Sequence, residues 1–192
     1  RSHDRDRFQI SPQLGIFNPS NFSLRTKYFH TSYKDNFGSM MLLKIEFLKN
    51  LGNFKNTEVS IVSSVGYSYK QGPNRTESNS GFKVEDTISF QWIPVMAGAN
   101  FSLKFLSTPF FMPSIRTQVG ASWFHQSGTI DGFNQGFWVP FYSIGSSFKF
   151  SFGKESNNSI INNITFGFDY QKDLDSEQNY EGIAYFIGIN FS

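Results

Sequence analysis

The feature that most constrains this chain is an alternation of apolar and polar residues at period two, sustained over unusually long segments. Phe8, Ile10, Pro12, Leu14 and Ile16 are apolar, and Gln9, Ser11, Gln13 and Gly15 lie between them. Successive side chains of a strand point to opposite faces, so such a segment folds as a strand with one apolar and one polar face. The pattern returns in Met41, Leu43, Ile45 and Phe47 against Lys44 and Glu46. It returns in Val59, Ile61, Val65, Tyr67 and Tyr69, and in Ile115, Val119, Ala121 and Trp123. Three later segments repeat it: Trp138 to Phe152, Ile160 to Tyr170, and Ile183 to Phe191. One segment changes phase. Ile88, Phe90 and Trp92 are even-numbered, whereas Val95, Ala97, Ala99, Phe101, Leu103 and Phe105 are odd. A β-bulge at Pro94 is expected there, because one extra residue flips every following side chain and Pro is tolerated at a bulge.

This gives about eight strands, most of 10 or more residues. Strands of soluble proteins usually run about 5–6 residues. Strands that cross a bilayer need roughly 9–11. Strand length therefore favours a closed antiparallel transmembrane β-barrel over its rival, a soluble β-sandwich or ligand-binding barrel. Composition agrees: 18% of the residues are aromatic, 24 of them Phe, yet the mean hydropathy is −0.33. No segment approaches the roughly 20 apolar residues of a membrane helix. A closed barrel needs none, since it pairs every backbone group internally. With no cysteine, a disulfide or thiolate metal site is excluded. A net charge of +2 without a basic run argues against nucleic acid as a partner.

The connections alternate in length. Long ones are expected at 18–36, 71–85, 126–135 and 173–181, and short ones at 50–55, 107–112 and 153–158. Long extracellular loops and short periplasmic turns characterise outer-membrane barrels. Tyr67, Tyr69, Trp92, Trp123, Trp138 and Tyr170 near strand ends suit interfacial girdles. Residues 1–192 read as one barrel domain, with 1–7 a charged N-terminal extension. The expected place is the outer membrane of a Gram-negative bacterium.

Several stretches resemble one barrel superfamily. Phe90-Gln91-Trp92-Ile93-Pro94-Val95-Met96-Ala97-Gly98-Ala99 resembles the OmpW-type strand that reads aromatic, Ile-Pro-aliphatic, small, Gly. Pro113 to Ala121 resembles the strand that follows it, and Gly132-Phe133-Asn134-Gln135-Gly136 the run that opens the next. Gly182 to Phe191 resembles the terminal signal read by the barrel-assembly machinery, although Ser192 follows Phe191 here. The resemblance to the small OmpW/OmpX-like barrels implies outer-membrane lipids and that machinery as partners. It also implies a small porin, or a route for hydrophobic compounds, as one functional class.

The polar faces carry charge. Lys44, Glu46, Glu58, Lys104, Arg116, Lys149 and Asp169 fall on the expected lumen face. Their mixed signs suit a salt-bridged plug, whereas a selective pore shows one dominant sign. The lipid face is expected to include Leu43, Ile45, Phe47, Trp123, Phe148, Phe150, Phe166, Phe168 and Ile187. His125-Gln126-Ser127-Gly128 resembles the His-x-Ser-Asn motif of the outer-membrane lipid A 3-O-deacylases, which implies His125 as base and Ser127 as nucleophile. Gly128 replaces the Asn, however, and the next strand offers no acid to orient the His. An enzyme is therefore not expected, nor a cofactor or metal. His3 and His30 stand alone. Phe22, Tyr28, Phe29 and Tyr33 form an aromatic loop suited to a partner or to folding over the barrel mouth. The small residues Ala97, Gly98, Ala99, Gly120 and Ala121 suit close approach of a second copy, hence a homo-oligomer. The leading expectation is a structural, lipid-organising or surface-interaction barrel. A small channel comes second and a lipid-modifying enzyme third.

Overall fold

The computed structural model describes residues 8–21, 23–25, 30–32, 38–77, 83–128, 134–151, 161–174 and 180–191. Eight long strands form the wall: β1 (Phe8–Asn21), β4 (Met40–Phe54), β5 (Thr57–Glu77), β6 (Lys83–Leu103), β7 (Phe111–Gly128), β8 (Asn134–Ser151), β9 (Ile161–Asp173) and β10 (Glu181–Phe191). Two short strands, β2 (Ser23–Arg25) and β3 (His30–Ser32), pair with each other between β1 and β4. His30, expected in an irregular loop, lies in this small sheet. The four aromatic residues of that loop and His3 lie outside the described residues.

Each wall strand pairs antiparallel with its neighbours, and β1 closes on β10. The register fixes the barrel's width. From Asn18, direct pairing passes through Ile183, Tyr170, Ile144, Thr117, Ala99, Ile61 and Lys49, and returns to β1 at Phe8, ten residues away. Eight strands with a stagger of ten tilt by about 40° and give a radius near 8 Å to the backbone. Such a barrel is filled by its own side chains.

In strands tilted this far, each residue climbs roughly 2.5 Å along the axis. The outward apolar run on β5, from Val59 to Tyr69, therefore spans about 25 Å, the height of the apolar band of outer-membrane barrels. Leu43, Ile45, Phe148, Phe150, Phe166, Phe168 and Ile187 are all exposed on this outer face. Phe47 and Trp123 point outward as well but are half-covered. Phe47 stacks on Phe8 at 5.9 Å, and Trp123 tilts against Trp138 at 5.4 Å. The wall thus follows the alternation in the sequence. At the short-turn end, Phe54, Phe105 and Phe110 are exposed. At the other end Lys172 pairs with Glu181 at 3.4 Å, and the Tyr170 hydroxyl donates to the same carboxylate at 3.0 Å.

Pro94 carries no bulge. Val65 pairs with Val95 and Ser68 with Trp92, three residues apart on both strands, so none is inserted. Instead Gly66 lies beside the proline ring, where a Cβ would collide with Pro94 Cγ. Even-numbered residues of β6 point inward from Ile88 to Ser102, and Trp92 is fully buried inside the barrel instead of joining the girdle. The change of phase records a change of surroundings. Within the bilayer the outer face of a strand is apolar. Above it the outer face meets water, and the inner face takes over the apolar residues, as in a soluble sheet.

β5 and β6 each run 21 residues. Of the expected loop 71–85, residues 71–77 and 83–85 belong to this hairpin. β4 pairs with β5 only up to Ser68, and β9 with β8 only down to Phe141. Beyond those points β5, β6, β7 and β8 rise as a four-stranded sheet. Eight residues past Tyr69 carry β5 about 20 Å further. Pro140 fits at this border. Its carbonyl accepts from Leu174 N at 2.9 Å, so its missing N–H falls where the β9 ladder is ending and removes one marginal bond.

Candidate functional site

The lumen is layered along its axis. Its middle layer is charged. Lys44 on β4, Glu46 on β4, Arg116 on β7 and Asp169 on β9 converge there, each under a tenth exposed. Arg116 grips Asp169 with two bonds, Nε to Oδ1 at 2.6 Å and Nη2 to Oδ2 at 2.5 Å. Its Nη1 reaches Glu46 Oε2 at 2.5 Å. Lys44 Nζ lies 3.3 Å from Asp169 Oδ2 and 3.5 Å from Glu46 Oε2. Two cations and two carboxylates cancel, which a low-dielectric lumen requires of charges it buries. The forked guanidinium suits this bidentate grip, which a lysine ammonium cannot make.

A row of direct pairs explains the reach. Arg116, Gly145 and Asp169 are cross-strand neighbours on β7, β8 and β9. Gly145 leaves a flat site between the two partners, since a Cβ there would overlap Asp169 Oδ1 and the Phe168 carbonyl. Gly145→Ala is expected to displace the carboxylate and cost about 1–3 kcal/mol, seen as a lower urea midpoint for the folded barrel. An unchanged midpoint would show that the row tolerates a methyl.

Phe186 on β10 completes the layer. Its ring lies over Gly167, where a Cβ would collide with it. Arg116 Cζ and Lys44 Nζ stand 4.1 and 4.5 Å from its centroid, so both cations also face an aromatic surface. The period-two reading missed Phe186 because it tracked only the apolar face of β10. The available signal was one large ring on a face otherwise made of Gly182, Ala184, Gly188 and Asn190.

Above this layer, towards the projecting sheet, lies an aromatic cluster. Phe17, Phe90, Trp92, Phe124, Phe141 and Tyr180 are almost fully buried, together with Met40, Leu42 and Val139. Phe124 is central, with ring centroids 4.7 Å from Tyr180, 5.5 Å from Phe90 and 5.7 Å from Phe141. Below the charged layer, Ser114 and Ser147 hydroxyls share a hydrogen bond of 2.6 Å, and Asn190 Nδ2 donates to Thr165 Oγ1 at 2.7 Å. The gap here is about 20 Å³, the room of one water. It widens at the short-turn end into a vestibule of about 350 Å³.

The seven expected lumen charges therefore separate into three groups instead of one network. Four form the central layer. Glu58 and Lys104 pair at 3.4 Å at the vestibule mouth, where Lys104, in a 3-10 turn (Lys104–Leu106), also donates to Asn53 Oδ1 at 2.5 Å. Lys149 points into the vestibule, donates to Gln9 Oε1 at 3.2 Å, and has no carboxylate within ion-pair distance among the described residues. The separation follows from tilt: the central charges and Lys149 occupy levels several ångströms apart along the axis.

His125 and Ser127 point outward, above the Trp123–Trp138 pair. His125 Nε2 lies 2.6 Å from Asn134 Oδ1, and Ser127 Oγ lies 2.5 Å from Ser89 Oγ. Each is thus engaged by a neighbouring strand. Ala97, with Phe47, Ser63, Val65, Val95 and Val119, surrounds a shallow apolar depression of about 360 Å³ on the lipid face. No His/Cys/Asp/Glu group fit to hold a metal occurs among the described residues.

No protein-family model matches the chain, and no curated protein does. Solved structures match it in fold. Neisserial surface protein A superposes with a TM-score of 0.55 at 9% identity, covering 96% of each chain. The outer membrane protein OprG from Pseudomonas aeruginosa superposes with a TM-score of 0.52 at 11% identity, covering 97% of this chain and 96% of its own. At such identities the likeness is one of fold. Closed wall, apolar belt and short-turn end together define a small eight-stranded outer-membrane β-barrel. Its place is the outer membrane of a Gram-negative cell.

Proposed function

We propose that this barrel is a non-conducting surface element, which anchors the projecting sheet of β5 to β8 in the outer membrane for contact with partners outside the cell. The observation that carries this reading is the combination of a filled lumen with a wall that continues beyond the bilayer. A neutral charged layer and a packed aromatic cluster lie in series across the barrel, and neither leaves a path for a hydrated solute. The resources of the fold go instead into the exposed sheet. Its margins, β5 beyond Tyr69 and β8 before Pro140, pair with no further strand among the described residues, and such edges suit pairing with another chain.

Planar-bilayer recording tests the first half. The purified barrel is expected to give no stable unitary conductance, and reproducible single-channel steps would return the chain to the transport class. Shortening the β5–β6 hairpin by equal numbers on both strands above Tyr69 tests the second half. The folded, heat-modifiable barrel is expected to persist, while cell adhesion to surfaces or other cells falls.

A further inference from the structure

We infer that the vestibule at the periplasmic end is a binding site for a small polar molecule carrying one oxyanion group, a carboxylate or a phosphate, and that Lys149 is its anchor. Charge balance is the starting point. The central layer of Lys44, Glu46, Arg116 and Asp169 is neutral within itself. In the vestibule Glu58 answers Lys104 at 3.4 Å. Lys149 donates to Gln9 Oε1 at 3.2 Å and has no carboxylate within ion-pair distance among the described residues, so the central layer and the vestibule together carry one cation more than they have carboxylates. A cation inside a barrel wrapped in lipid is costly unless an opposite charge is near.

The surroundings suit an incoming anion. The space is about 350 Å³, enough for a molecule the size of an amino acid or a sugar phosphate. Its wall is mostly polar and supplies side-chain hydrogen-bond groups from Asn50, Asn53, Ser60, Asn100 and Ser102. Of the two cations only Lys149 is free to take the oxyanion, because Lys104 is already shared between Glu58 and Asn53. Upward the vestibule narrows to the 20 Å³ gap at Glu46, which has room for no more than a water. The ligand therefore enters and leaves from the periplasm and does not pass through.

Charge arithmetic makes the proposal testable in two directions. Inorganic phosphate and acetate are titrated separately into the full-length barrel in detergent micelles, following the backbone amides of Gly52, Asn53 and Ser102 by NMR. Saturable shifts at these amides are expected. Lys149→Met is expected to weaken binding about tenfold or more, the scale of one charge-assisted hydrogen bond. Glu58→Gln frees Lys104 and is expected to tighten it several-fold. A purely structural Lys149 would produce neither change. Saturation by phosphate alone or by acetate alone identifies which oxyanion the site takes. Absence of saturable shifts in the unaltered barrel overturns the proposal, and so does equal affinity in Lys149→Met. If Lys149→Met does not fold, as judged by its unheated gel mobility, Glu58→Gln decides the matter, and unchanged affinity in that variant overturns the proposal.

Discussion

Arg116→Met is expected to lower the unfolding free energy of the barrel by about 3–5 kcal/mol, the cost of removing one partner from a buried ion network. The geometry says why the effect is large. Arg116 makes three of the short contacts in the central layer, two to Asp169 and one to Glu46. Without it, two carboxylates share Lys44 alone, and the lumen carries an unbalanced negative charge. Methionine keeps much of the volume, so the loss is mainly electrostatic. Urea unfolding in lipid vesicles, followed by tryptophan fluorescence, reads the change. The double variant Arg116→Met with Glu46→Gln restores neutrality, leaving Lys44 beside Asp169. It is expected to recover at least about 1 kcal/mol relative to additivity, as coupled residues do. A loss below about 1 kcal/mol in Arg116→Met, or strict additivity in the double variant, would mean that the layer is well hydrated and its pairs nearly neutral in energy.

Phe124→Ala is expected to cost a similar 3–5 kcal/mol, by a different mechanism. Phe124 sits amid the aromatic cluster, with Tyr180, Phe90, Phe137 and Phe141 all within ring-contact range. Truncation removes the transfer energy of the ring and leaves a cavity that a rigid β wall cannot collapse to fill. An outward residue of similar size behaves differently. Phe166→Ala loses contact with lipid, but fluid chains close the gap, so the cavity contribution disappears and the cost is smaller. The comparison by urea midpoint separates a packed plug from a loosely filled mouth. If Phe124→Ala costs no more than Phe166→Ala, the cluster is not a packed core. Bilayer recording on Phe124→Ala adds a second readout. The barrel is expected to stay silent, because the charged layer beneath remains intact.

The outer wall was legible in the residues themselves. A period of exactly two carried over ten or more residues forces one face to be apolar, and only a bilayer rewards so many outward apolar positions around a closed sheet. Leu43, Phe166 and Ile187 could thus be assigned from numbering alone. The inside could not. Lys44, Arg116 and Asp169 lie on three strands far apart in sequence, and whether they meet depends on a stagger of ten residues that no local pattern encodes. That stagger joined four of the seven expected charges and left Glu58, Lys104 and Lys149 nearer the periplasm. Gly145 and Phe186 follow the same logic, since their meaning is what stands on the neighbouring strand.

The shift of phase around Pro94 shows the division most clearly. The sequence determined that Ile88, Phe90 and Trp92 share a face and that Val95, Ala97 and Ala99 share one, because alternation is a property of the backbone; its pattern alone suggested a bulge joining the two sets on a single face. Only the tertiary structure decided that the strand runs straight through and that the medium changes instead, from lipid to water outside and from polar to aromatic within. The physical reason is that a strand's periodicity fixes which side chains point together, while the environment each side meets is set by strands and solvent that the local sequence does not contain.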